Sequence, residues 1–200
     1  MDEFRGEIII DDNDNVFVAS STLSTDFPVV GGAFQAVNNG MQDGCVFKLS
    51  SDLTTMVWSS YIGGTDADAA YSLVLNTLGE VIITGGTKSA DFPTTTSALN
   101  PSFQLGVSDG WIIKINATAS TIVASTFLGT PEYDQSYFVD TDFDNNVYVV
   151  GQTEGTYNIE PITVYNDSNS GQFLHKLTPD LTTTVFSTTF GTGSGEIDIA

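Results

Sequence analysis

Asp140, Asp142 and Asp144 alternate through "DTDFDNN" (residues 140–146) as carboxylates do at the opening of a calcium loop, where they would supply hard oxygen ligands. The run then continues into "VYVVG", a strand pattern, where an EF-hand would enter a helix. It has neither a Gly at the bend nor a bidentate Glu closing a 12-residue loop, and Asp and Asn are the residues expected where a hairpin turns. The stretch therefore reads as a turn, with Ca²⁺ binding by these three residues as the alternative. A second acidic group, Asp66, Asp68, Glu132 and Asp134, could line a carbohydrate-binding or glycan-processing pocket if two of its carboxylates stood at a suitable separation.

The elements that must position these acids are found by laying the chain against itself. "STDFPVVGGAFQ" (24–35) returns as "SADFPTTTSALN" (89–100), placing Pro28 over Pro93. "DGCVFKLS" (43–50) returns as "DGWIIKIN" (109–116) and as "GQFLHKLT" (171–178), so Lys48, Lys114 and Lys176 are equivalent. "WSSYIGG" (58–64) recurs as "ASTFLGT" (124–130) and "FSTTFGT" (186–192), and "NVFVAS", "EVIITG" and "NVYVVG" start at Asn15, Glu80 and Asn146. Each unit holds four short runs rich in Val, Ile, Thr, Tyr and Phe, separated by Gly, Asp, Asn and Pro, which predicts strands. In the second unit these fall at about 69–75, 80–86, 110–115 and 121–128. No stretch carries an apolar stripe at helical spacing long enough for an ordinary helix. Four strands repeated about every 65 residues describe β-propeller blades, whose sheets bury both faces only when neighbours stack on them.

The motifs "DxxxNVYVVG", "STDFPxxxGAFQ", "DGxxxKL" and "xSxxLGG", in fixed order over residues 7–193, closely resemble the seven-bladed β-propeller (SBBP) repeat family. The third copy departs from it, with "YNIEPITVYNDSNSG" (157–171) in place of the "DFP" loop. The resemblance implies a bacterial, secreted or surface-attached protein without enzymatic activity. The predicted fold is all-β: three four-stranded antiparallel blades at 1–64, 65–130 and 131–193, and the first strand of a fourth in "GEIDIA" at 194–200. Three blades do not close a ring of the usual size, so the expected neighbours are further blades of a parent protein or copies of the chain itself.

The repeat provides an internal control for other motifs. "GVSDG" (106–110) matches a nucleophile elbow in letters alone, for a strand follows it and Gln42 stands where Ser108 does in the first copy. His175, the sole histidine, aligns with Phe47 and Ile113 and reads as a packing residue; Cys45 aligns with Trp111 and Phe173 and reads as a small buried hydrophobe. The three lysines are expected to lay their stems on apolar surface and meet carboxylates, an anion-binding ring being the alternative. "GTGSG" (191–195) lacks the following helix that would hold a phosphate. Phe27, Phe92, Phe34 and Leu99 recur at matched positions in the long loops, as anchors would.

Composition excludes other classes. The chain of 200 residues has 25 Asp plus Glu against 5 Lys plus Arg, a formal charge of −20, which would repel nucleic acid or an anionic membrane. A single cysteine permits no internal disulfide, and no segment has the length of a membrane-spanning helix or the form of a signal peptide. The expected function is a non-enzymatic structural or interaction module, binding a protein or glycan on the face built from its long loops, with no cofactor required.

Overall fold

The computed structural model describes residues 6–167 and 170–191, so the expected strand at 194–200 lies outside the described residues. Twelve strands form three four-stranded antiparallel sheets, each in simple sequential order. Blade 1 comprises β1 (Glu7–Ile10), β2 (Val16–Thr22), β3 (Asp43–Leu49) and β4 (Met56–Ile62). Blade 2 comprises β5 (Asp68–Leu75), β6 (Val81–Thr87), β7 (Asp109–Ile115) and β8 (Ile122–Leu128), within one residue of the sequence reading at each end. Blade 3 comprises β9 (Asp134–Thr141), β10 (Val147–Thr153), β11 (Gln172–Leu177) and β12 (Thr184–Phe190).

Local chemistry explains why the chain turns where it does. Every hairpin between first and second strands has a residue with positive φ at the same place, namely Asp14 (62°), Gly79 (74°) and Asn145 (62°), residue types that tolerate the left-handed region. The hairpins between third and fourth strands do likewise with Leu53, Ala119 and Leu181. In each blade the register slips beside the lysine, at Lys48/Leu49, Lys114/Ile115 and Lys176/Leu177. The bulge leaves Val57, Val123 and Val185 pointing outward, each 41 to 44 % exposed.

Because side chains alternate across a strand, each blade has a front face toward the preceding blade and a rear face toward the next. The rear of blade 1 (Phe17, Val46, Trp58, Ile62) packs on the front of blade 2 (Leu73, Val81, Ile83, Ile113, Ile115) in one core. The rear of blade 2 (Ile82, Ile112, Ala124, Leu128) packs on the front of blade 3 (Val139, Val147, Val149, Leu177) in another. The first strands register this order. β5, held between two blades, is buried on both faces over most of its length, whereas β1 exposes Ile8 and Ile10 and β9 exposes Phe138 and Asp140 on the opposite side.

The long loops between second and third strands fold back along the outer strand of their own blade. Val30 O accepts from Ser59 N and Gln35 O from Tyr61 N in blade 1; Thr95 and Asn100 hold Ser125 and Phe127 in blade 2, and Glu160 and Asp167 hold Ser187 and Thr189 in blade 3. The loops thereby cover backbone edges that would otherwise template pairing with other chains. Their aromatic anchors sit on the front faces: Phe27 beside Tyr61, Phe92 4.8 Å from the Trp111 ring, and Tyr157 stacked 4.3 Å from Phe173. Phe34 and Leu99 pack against the two cores as predicted.

Candidate functional site

Residues 140–146 form a locked hairpin turn. Asp142 Oδ1 accepts from Asp144 N (3.0 Å) and Asn146 N (2.9 Å), and its Oδ2 accepts from Lys176 Nζ at 2.8 Å. These donors stabilise the anion and hold its pKa well below the usual carboxylate range, the lysine hydrogen bond foremost. Asp140 lies on the rear face of β9 with a carboxylate oxygen accepting from Thr141 N, and Asp144 is exposed at the tip, so the three side chains are not gathered around one point. Blade 1 builds the same lock with Asp11, which accepts from Asn13 N, Asn15 N and Lys48 Nζ. Blade 2 moves the charge to the other end of the turn. Asn76 Oδ1 takes the backbone N–H groups of Leu78 and Glu80, and Glu80 receives Lys114 at 3.3 Å. All three equivalent lysines thus meet a carboxylate of the turn, at its first position in blades 1 and 3 and at its last in blade 2.

The densest ionisable chemistry lies at the blade junctions. Asp66 is half-buried in the link between blades 1 and 2, and Glu132 is exposed in the next link; Asp68 and Asp134 are fully buried at the starts of β5 and β9. The four residues therefore divide between two successive junctions. Each buried member faces a partner that the sequence reading did not single out: Asp68 faces Asp43, and Asp134 faces Asp109. A Cβ on Gly63 would lie 2.6 Å from Asp43 Oδ1 and 2.7 Å from Asp68 Oδ2, and one on Gly129 would lie 2.9 Å from Asp109 Oδ1 and 3.0 Å from Asp134 Oδ2. Only glycine leaves room there.

Donors converge on both pairs. Asp43 Oδ2 accepts from Gln35 Nε2 (2.8 Å) and Asn39 N (3.0 Å); Asp68 accepts from Gly64 N (2.7 Å), Ser89 Oγ (2.8 Å) and the Thr87 hydroxyl. Asp109 Oδ2 accepts from Gln104 N, and Asp134 Oδ2 from both the N–H and the hydroxyl of Thr130. Oδ1 of Asp43, Asp109 and Asp134 is buried without a hydrogen-bond partner. Burial pushes the carboxyls of Asp68 and Asp109 up to about 7, with the charge of Asp43 adding to the first and that of Asp134 to the second. Burial raises Asp43 and Asp134 as well. The signal available in sequence was the "DG" at the head of the third strand in two copies, which becomes "GQ" in the third, with Gly171 in place of the Asp.

Above each pair an open cleft separates the blades. The first, about 440 Å³, is walled by Phe34, Pro93 and Ile122, with Asn39, Thr65 and Asp91 at its polar side. The second, about 250 Å³, uses the equivalent Leu99, Gln104 and Thr184, and adds Tyr157, Glu160 and His175. The third blade replaces the apolar trio Phe92, Ile113 and Ile122 by Tyr157, His175 and Thr184, which bond one another: the Tyr157 hydroxyl is 2.8 Å from His175 Nδ1, and His175 Nε2 is 2.9 Å from Thr184 Oγ1. Burial pushes the imidazole down to about 4, so it is neutral at ordinary pH. His175 is a satisfied core residue, as its repeat partners implied, and Cys45 is buried with its thiol pushed up to about 12. The "GVSDG" serine, Ser108, is fully buried and donates to Thr87 O.

No protein-family model matches the sequence, and no curated protein matches it.

Proposed function

We propose that the chain is a non-enzymatic β-propeller repeat module of the SBBP type, part of a secreted or cell-surface bacterial protein, and that it is a rigid scaffold presenting its inter-blade clefts to a protein or glycan. One observation carries this reading: the two close pairs of acids, the arrangement best suited to chemistry, are consumed inside the structure. Asp43, Asp68, Asp109 and Asp134 are each 0 % exposed beneath a glycine, where they reach neighbouring blades and not a ligand. Asp11 and Asp142 hold backbone N–H groups and a lysine each, Glu80 holds Lys114, and the long loops hold their own outer strands. The repeated clefts, apolar on one wall and polar on the other, are then the surfaces left for recognition.

Turnover assays on a panel of chromogenic glycosides, paired with glycan-array binding, test the reading. We expect no hydrolysis above buffer, and any glycan bound to be released by Asp91→Ala or Phe34→Ala. Hydrolysis that disappears in Asp66→Asn or Glu132→Gln would replace the module by a glycan-processing propeller.

A further inference from the structure

We infer, resting on the proposal that the inter-blade clefts are recognition surfaces, that each of the two receives a cationic side chain, arginine or lysine, from a basic segment of a partner protein. In the first cleft the hydrogen-bond donors are spent inward. The N–H groups of Asn39, Gly63, Gly64 and Thr65 donate to Asp43 (3.0 Å), Gln35 (3.0 Å), Asp68 (2.7 Å) and Asp91 (2.9 Å), and that of Phe34 donates to Ala119 O at 2.8 Å. The Thr65 hydroxyl also donates to Asp91 Oδ1, at 3.0 Å. Asp91 is exposed, and its Oδ2 has no partner among the described residues. Opposite stand Phe34, Pro93 and Ile122, each half-buried, an apolar wall on which a methylene stem can lie.

The second cleft repeats the pattern with different residues. Asn100 Nδ2 donates to Phe127 O at 3.2 Å and Gln104 Nε2 to Ser102 O at 2.6 Å, while both ring nitrogens of His175 are taken by Tyr157 and Thr184. What is left along this cleft is oxygen: the side-chain carbonyls of Asn100 and Gln104 and the exposed carboxylate of Glu160, all without partners among the described residues. The floors are short of donors too. Gly63 and Gly129 line the two clefts, and beneath them Asp43 Oδ1 and Asp109 Oδ1 are buried without a hydrogen-bond partner, 2.6 and 2.9 Å from where a Cβ would stand. Both clefts therefore call for a ligand that donates.

Charge selects among donors. A free side-chain amide remains in each cleft, at Asn39 and at Asn158, and would suit a sugar hydroxyl as well as a cation. The chain carries −20, and Lys48, Lys114 and Lys176 are spent on turn acids at the far end of the blades. At the loop end Asp26, Asp91, Glu132, Glu154 and Glu160 are exposed, and Lys88 is the one basic residue there among the described residues. Such a field draws cations to the clefts and repels phosphate, sulfate and acidic sugars. A guanidinium or ammonium head on Asp91 or Glu160, with its stem on the apolar wall, satisfies both sides of a cleft at once. Two clefts on successive blades suit one segment that carries two such side chains.

An NMR chemical-shift titration of the whole chain tests the assignment, with Nα-acetyl-arginine N-methylamide as the probe and its citrulline analogue, in which a neutral urea replaces the guanidinium, as the comparison. We expect the arginine amide to shift Phe34, Gly63 and Thr65 in the first cleft and Leu99, Gln104 and Gly129 in the second, and the citrulline amide to bind about tenfold more weakly. Added salt should weaken binding. Asp91→Asn, which keeps an acceptor for Thr65, should weaken the first cleft about tenfold and leave the second unchanged, and Glu160→Gln should do the reverse. Asp144→Asn removes the same charge at the far end of blade 3 and should change neither. Arginine and citrulline amides that bind alike, no response at either cleft, or a loss in Asp144→Asn equal to that in Asp91→Asn would each overturn the inference. A neutral glycan held in the clefts where the arginine amide is not would overturn it and leave the scaffold standing, whereas glycoside hydrolysis that disappears in Asp66→Asn would overturn both.

Discussion

Asp43 and Asp68 belong to neighbouring blades, both are 0 % exposed, and their carboxylates converge on the space that a Cβ on Gly63 would occupy. Asp109 and Asp134 repeat the arrangement about Gly129 one blade further on. Two carboxyls so buried cannot both ionise cheaply, so the junction holds protons that the unfolded chain would release.

Stability should consequently fall as pH rises toward neutrality. Asp68 and Asp109 are held at about 7 against an ordinary 3.8, so their contribution is full below about 4 and is lost as pH rises through 7. His175, lowered from 6.5 to about 4, acts in the opposite sense over the same window, its contribution being lost as pH falls. Two groups outweigh one, and the net negative charge adds to the trend. Thermal melts should be higher near pH 5 than near pH 8. The double variant Asp68→Asn/Asp109→Asn should flatten that difference, and an unchanged pH profile would refute protonated junctions.

Gly63→Ala and Gly129→Ala should each cost about 1–3 kcal/mol, because the added methyl meets two buried carboxyl groups that hydrogen bonds hold in place. Gly63→Ala should cost more, its contacts being shorter. Urea unfolding checks both the size and the order.

Calcium should raise the melting temperature no more than magnesium at equal ionic strength, since Asp142 is already committed to Asn146 and Lys176. Asp142→Asn keeps a turn-forming side chain and loses only a solvent-screened ion pair, so its melting temperature should fall only slightly. A calcium-specific increment that vanishes in this variant would make residues 140–146 a metal loop.

Ser59 clasps the first long loop: its Oγ donates to Pro28 O at 2.6 Å and accepts from Val30 N at 2.9 Å. Ser59→Ala should destabilise by about 1–2 kcal/mol and speed amide exchange at Val30 while leaving β6 and β7 unchanged. Exchange that rises uniformly would mean that the loop has no separate clasp.

Strands, turns and blade number were legible in the sequence because their causes are local. An alternation of period two, left-handed turn residues and a lysine facing the turn acid all act within one blade, and three copies let each position be compared with its equivalents. The same comparison identified His175 and Cys45 as core residues. What the tertiary structure alone decided depends on stacking. Asp43 and Asp68 lie on different blades, and each "DG" reads as an ordinary strand opening until a neighbouring sheet removes its water and raises its pKa. The long loops read as a binding face, yet they turn down along β4, β8 and β12 because the outer strands offer unpaired backbone groups there. Ile8 and Leu73 are interchangeable in pattern, and only the presence of a blade in front of Leu73 makes one buried and leaves the other exposed.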